Sequence, residues 1–222
     1  MVEKFIEKIP NHLKNKSGSI FYSGFNAFTG EKDLYILGLN PGGCPDEHAD
    51  NTVEANIRHF LENEAKDWSA YRDESWEGAP AGTWRMQPRV LHLTEKLRLN
   101  PGEVPSSNVI FVRSKREINI SNEINQLLQD CWPFHQKVIE VLKPKAILCF
   151  GKTAGNLIRQ KLNANEMIDE FIEQNNRKWK TQAFSNNDGI KIIVATHPSI
   201  ADWTNQDTDP SKMIRRVIGI NT

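Results

Sequence analysis

Cysteine is scarce in this chain. Cys44, Cys131 and Cys149 are the only three among 222 residues, and they form neither a CxxC pair nor a zinc-finger spacing. That excludes a disulfide framework or a zinc module read from spacing, and predicts free, packed thiols. Long hydrophobic runs are also missing. A membrane-spanning helix needs about 18 or more consecutive apolar residues, and no such run occurs. The amino-terminal Met1-Val2-Glu3-Lys4-Phe5-Ile6 lacks the apolar centre of a secretory leader, so a cytoplasmic location without membrane association is expected. An excess of one charge is absent as well: 28 Lys and Arg face 28 Asp and Glu. A polyanionic partner would therefore need a local basic patch rather than a global field. No internal repeat, low-complexity tract or linker divides the chain, so one domain over residues 1–222 is expected, and a monomer is the default.

What is present is a core-forming composition, with 38% hydrophobic residues, arranged as short apolar runs between amphipathic stretches. Four runs read as buried strands: residues 34–39, 108–112, 146–150 and 191–195. Helical spacing appears at 2–15, 52–68, 90–99, 153–162 and 210–218. Ser121 can cap a helix running to Leu142, with Pro133 inside it predicting a kink or two consecutive helices. Residues 17–32 and 69–88 read as irregular. Residues 163–189 are polar and carry no clear period. Strands alternating with helices predict a three-layer α/β/α fold around a short four-stranded parallel sheet. Such sheets place their sites beyond the carboxyl ends of the strands, which directs attention to residues 38–44, 112–116 and 196–199.

Two turns there carry chemistry. In Gly38-Leu39-Asn40-Pro41-Gly42-Gly43, proline fixes the backbone while the glycines let a ligand approach it. Asn40 at the strand end could hold a water or a substrate, although an ordinary Asn-Pro-Gly turn also accounts for the pattern. In Thr196-His197-Pro198-Ser199, a histidine held by the following proline can donate to a developing oxyanion, and Ser199 with nearby N–H groups could grip a phosphate. A lone histidine is more often structural; a pair of such turns at two strand ends shifts the balance toward a site.

These turns, in this order and spacing, resemble the uracil-DNA glycosylase superfamily. Gly38-Leu39-Asn40-Pro41-Gly42 resembles its first active-site motif, in the form found in the mismatch-specific and single-strand-selective branches. Thr196-His197-Pro198-Ser199 resembles its second, His-Pro-Ser. Asn108-Val109-Ile110-Phe111-Val112-Arg113 looks like the strand whose asparagine reads the uracil edge. Cys131 and Lys143-Pro144-Lys145-Ala146-Ile147-Leu148-Cys149-Phe150-Gly151, with Ala154, are similar to the helix, strand and glycine turn of the family-4 branch. The resemblance spans roughly residues 34–200.

It implies a DNA glycosylase that flips a nucleotide into a pocket and hydrolyses its N-glycosidic bond, removing uracil or a related deaminated base. On that implication Asn40 positions the water and His197 stabilises charge on the base. Asn108 reads the base's polar edge. Gly38, Leu39, Pro41 and Gly42 line the substrate, and Trp84 is the candidate stacking ring. Independently of the resemblance, Arg113, Lys115 and Arg116 make a local basic patch at a strand end that, with Ser199, could hold a DNA backbone, although a plain solvated turn accounts for the three charges equally well. Strictly uracil-specific relatives carry tyrosine where Gly42 stands, so looser base selection is implied. The superfamily often places a wedge just after His-Pro-Ser; here Ile200-Ala201-Asp202-Trp203 follows. Family-4 enzymes hold an iron–sulfur cluster on four cysteines, and only Cys131 is suitably placed, so no cofactor is expected. Two alternatives stay open: a weak or inactive relative that binds a nucleobase or nucleic acid, and a small-molecule enzyme on the same fold, which the zero net charge favours.

Other patterns read as ordinary structure. Gly151-Lys152-Thr153 lacks the glycine that a phosphate-binding loop requires at position 146. The group Asp46, Glu47, His48 and Asp50 reads as a solvated acidic loop rather than a metal site.

Overall fold

The computed structural model describes residues 2–220. In chain order its regular elements are α1 (Glu3–Ile6), α2 (Asn11–Lys14), β1 (Leu34–Gly38), α3 (Val53–Glu62), α4 (Ala70–Asp73), α5 (Gln87–Leu97) and β2 (Ser106–Asn108). Then follow α6 (Ile124–Leu142), β3 (Ala146–Phe150), α7 (Lys152–Leu162), β4 (Glu166–Ile172), β5 (Lys180–Ser185), β6 (Lys191–Ala195) and α8 (Ser211–Ile218). No helix among the described residues is long and apolar enough to cross a membrane.

The strands form one sheet in the order β2-β1-β3-β6-β5-β4. The first four are mutually parallel, and β5 and β4 add on antiparallel. The expected four-stranded sheet is thus corrected to six strands. Three of the parallel strands are those expected, the fourth lies at 106–108 and shares only Asn108 with the run expected at 108–112, and the extra pair comes from residues 163–189. That pair was illegible because an edge hairpin exposes one strand: β4 is largely solvent-facing, without the continuous apolar run of a buried strand.

Side-chain alternation splits the core in two. Tyr35, Leu37, Ile147, Cys149, Ile192 and Val194 face one way, packing with residues of α1, α2, α3, α6 and α7. Leu34, Ile36, Leu148, Phe150, Ile193 and Ala195 face the other, packing with residues of α4, α5 and α8. β1 and β3 are buried at every residue, as expected for parallel strands covered on both faces.

Several boundaries differ from the sequence reading. The expected strand at 108–112 is β2, which ends at Asn108. Val109, Ile110 and Phe111 are buried beyond it, and the N–H groups of Val109 and Ile110 donate to the Gly38 and Leu39 carbonyls. The expected helix at 2–15 is two single turns separated around Pro10, which lacks an N–H to continue a helix. α3 stops at Glu62, six residues short of the expected Trp68. α6 continues through Pro133 as one helix rather than two, and its first residue is Ile124 rather than the turn after Ser121.

Candidate functional site

Strand register sets the height of each loop. Leu37 lies opposite Ser107 and Cys149, Cys149 lies opposite Val194, and Gly38 lies opposite Asn108. Asn40 and His197 are each three residues beyond that shared row, at the carboxyl ends of β1 and β6. One strand, β3, stands between β1 and β6, so the two loops are about two strand spacings apart, roughly 10 Å. β3 passes through Gly151 directly into α7, bringing the amino end of that helix between them. Gly151 has φ +91, a left-handed value that favours glycine, and its Cα faces the His197 ring: a Cβ there would lie 3.7 Å from Cδ2.

Alternation along the strands puts Gly38 on the α5/α8 face with Ile36, and Asn108 beside it. The fit is tight, since a Cβ on Gly38 would lie 2.3 Å from Asn108 Oδ1. Asn108 is 7% exposed. Against it sits Tyr22, whose phenol faces Asn108 and Ser19; burial raises its pKa, opposed by the Arg113 charge and by Asn108. Tyr22 stacks on Tyr71 at 6.2 Å between centroids. The aromatic ring at Asn108 is therefore Tyr22, from the stretch read as irregular, whose aromatics were the available signal. The expected ring, Trp84, is placed elsewhere in its contacts: the residue's backbone N–H donates to Gln87 Oε1 and its ring carries Arg85 at 5.5 Å.

The loops after β1 and β2 are laced together. Asn40 Nδ2 donates to Ser114 Oγ at 2.8 Å, to the Pro41 carbonyl at 3.1 Å and to the Val112 carbonyl at 3.2 Å. This commits the amide nitrogen to the protein and leaves Oδ1 as the group that can accept from a ligand. Gly42 bridges Ser114 in parallel fashion. Arg113 donates to the Gly42 carbonyl, and its Nε to Ser17 Oγ at 3.3 Å. The expected basic patch therefore divides: Arg113 braces the first loop, whereas Lys115 and Arg116 are exposed. Ser114, 5% exposed, escaped the sequence reading because a single serine after a strand has no distinctive pattern.

At the other loop, the Ser199 N–H donates to His197 Nδ1 at 3.0 Å. Nδ1 is then the lone-pair nitrogen and Nε2 carries the proton. Burial pushes the imidazole pKa down to about 4, so it is neutral near pH 7. The ring meets Phe150 edge-on at 6.0 Å. The N–H groups of Ile200 and Ala201 both return to the His197 carbonyl. The Ser199, Ile200 and Ala201 N–H groups are thus occupied internally, which corrects the expectation that they grip phosphate; the Ser199 side chain itself is exposed. Arg89 on α5 donates to the Pro198 carbonyl and lies 3.5 Å from Asp202. Past the turn, Ile200 is 56% exposed while Trp203 is fully buried.

His135 lies beneath the segment that follows β2. It is fully buried, with Tyr35 Oη at 2.8 Å from Nδ1 and the Val109 carbonyl at 3.1 Å from Nε2. Nε2–H must donate to that carbonyl, so the tyrosine hydroxyl donates to Nδ1. Burial lowers its pKa to about 4. Cys131 and Cys149 are buried, and burial pushes the Cys131 thiol up to about 12. No group of three or more potential metal ligands is assembled among the described residues.

Two surface depressions lie away from these loops. One, of about 430 Å³, is lined by residues including Leu34, Arg98, Glu103 and Lys145 near the amino ends of β1 and β3. The other, of about 350 Å³, is lined by residues including His92, Lys96, Lys212 and Arg215 between α5 and α8. Neither is lined by Asn40, Asn108 or His197.

No protein-family model matches the chain. Nor does any curated protein match it significantly in sequence.

Proposed function

We infer that this chain is a DNA glycosylase of the uracil-DNA glycosylase type, removing uracil or a related deaminated base. The observation that carries this reading is the preset polarity of its two loop side chains. His197 is neutral, with Nδ1 filled by Ser199 and a proton on Nε2. Asn40 has its nitrogen committed and its oxygen unengaged. A donor and an acceptor at one level above a sheet suit opposite ends of a single reaction. The Asn40 oxygen accepts from the attacking water and orients it. The His197 Nε2–H donates to the oxygen of the departing base as negative charge develops there.

An amide is a poor general base, so stabilisation of the leaving base carries most of the rate. A preorganised donor of this kind contributes about 3–4 kcal/mol. The neutral imidazole can fill this role because the Ser199 N–H occupies Nδ1 and so keeps the donating proton on Nε2. Asn108, wedged beside Gly38 and held near Tyr22, offers an amide to the base's polar edge with an aromatic ring next to it. At Gly42 an added Cβ would meet nothing within 4 Å, which leaves room for a substituent on the base. Ile200, exposed at the tip of the second loop, is suited to fill the gap that a flipped nucleotide leaves in the stack.

The test is incubation with single- and double-stranded oligonucleotides carrying one uracil, with thymine controls, followed by alkali. Scission at the uracil position alone supports the reading. Intact strands at enzyme excess contradict it, and salt-sensitive binding without scission would instead favour a non-cleaving binder.

A further inference from the structure

The segment joining β4 to β5 belongs to neither loop motif, yet register carries it to the same end of the sheet. Gln182 pairs with Val194 in the antiparallel β5–β6 ladder, and the Thr196 N–H reaches Thr181 Oγ1 at 3.4 Å. The turn preceding β5 therefore stands beside the His197 loop.

That turn is built around an anchored cation. Arg177 Nη2 lies 3.1 Å from Glu173 Oε2, and Nη1 donates to the Ile200 carbonyl at 2.8 Å. The guanidinium lies 4.1 Å from the centroid of the Trp179 ring. Glu173 is 1% exposed; Asn175 also donates to its Oε2, while its Oε1 has no partner within the protein. Burying a carboxylate with an unpaired oxygen is costly. What it secures here is a fixed arginine that ties an exposed indole to the backbone of an exposed isoleucine. Trp179 is 38% exposed. Core packing does not explain two large apolar side chains left in solvent and joined through one immobilised cation, one of them three residues from His197.

We propose that Trp179, held by Arg177, is a stacking platform for an unpaired base of single-stranded DNA entering beside the His197 loop. This rests on the glycosylase reading for its choice of ligand. Every base offers a π-face, so an exposed indole binds without sequence preference. The guanidinium adds a positive charge next to the strand and limits the ring's freedom, reducing the entropy lost on stacking.

The experiment measures binding of a fluorescent, uracil-free oligothymidylate and of a duplex of unrelated sequence, by anisotropy, using the full chain. Trp179→Ala should weaken single-strand binding about 5- to 150-fold, the range of one lost base–aromatic stack. It should leave the salt dependence of that binding unchanged, because no phosphate contact is removed. Trp179→Phe should recover most of the affinity, and duplex binding should be altered less than about twofold by either change. Wild-type affinity in Trp179→Ala overturns the proposal. So does equal weakening by Ala and Phe, equal weakening for duplex, a reduced salt slope pointing to a phosphate contact, or no single-strand binding by the wild type. The oligonucleotide holds no uracil, so this result is independent of catalysis. Trp179-dependent binding without any base release would remove the glycosylase reading and leave the platform standing.

Discussion

Gly38 leaves no room for a side chain beside Asn108: a Cβ there would stand 2.3 Å from the asparagine's Oδ1. The atom it meets is the end of a side chain, which can swing away, so the strand itself can persist. Gly38→Ala should therefore lower uracil release by about 100-fold, the scale of a misplaced contact group. The cost in stability should be only about 1–3 kcal/mol, as for overpacking. Single-turnover kinetics and urea denaturation check the two halves. Near-wild-type release by a folded Gly38→Ala protein would mean that Asn108 does not read the base.

A second expectation concerns His197 and pH. Its pKa is pushed down to about 4 by burial, well below the ordinary value near 6.5. Base release should show no inflection between pH 5 and 8 attributable to this group. The acid limb should appear only as pH falls through about 4, where a protonated Nδ1 would oppose the Ser199 N–H. An NMR titration of the ring together with a pH–rate profile tests this, and a ring pKa near about 6.5 would remove the neutral-donor role.

The same sign governs stability through His135. This fully buried imidazole also has its pKa lowered to about 4, whereas the unfolded chain titrates near 6.5. Below about 6.5 the unfolded state binds a proton that the folded state refuses, so folding is favoured most above that value and loses ground until about pH 4. The slope is about 1.4 kcal/mol per pH unit for one such group, or about 3 kcal/mol across the window. His135→Phe should be less stable at neutral pH, because Tyr35 loses its acceptor, but should show a shallower fall on acidification. Parallel pH dependences for the two proteins would contradict this.

A structural prediction stands apart from function. A Cβ on Gly18 would come 2.1 Å from the Phe111 carbonyl oxygen, which already accepts from the Ser19 N–H at 2.9 Å. Backbone cannot step aside as a side chain can. Gly18→Ala should cost about 1–3 kcal/mol in chemical denaturation, and an unchanged midpoint would contradict the packing described for the segment beside β2.

The parallel sheet was legible because buried parallel strands leave uninterrupted apolar runs. Leu34–Gly38, Ala146–Phe150 and Lys191–Ala195 fall where Val, Ile and Leu cluster between turn residues. The β4–β5 pair was not legible, since residues such as Glu166, Asp169 and Glu170 sit on an edge strand that solvent accepts. α6 continues as one helix through Pro133, a position where tertiary packing outweighs a local helix breaker.

The candidate site was partly legible. Asn40, Asn108 and His197 stand at strand ends where short turn motifs announce them. Ser114, His135 and Arg177 were not visible, because each engages a residue 23 or more positions away, which no local pattern encodes; Tyr22 stood among visible aromatics, but its pairing with Asn108 is equally remote in sequence. Trp84 stands out through its neighbours in sequence, and space assigns the ring beside Asn108 to Tyr22 instead.

The glycosylase reading meets its most direct test in single-turnover uracil release by the wild type, Asn40→Ala and His197→Ala, with folding checked by denaturation. Each variant should stay folded and lose about 100-fold or more in rate. The double variant should lose less than the product of the two, as expected of groups acting on one transition state. Wild-type rates in either folded variant would contradict the roles assigned to these two side chains.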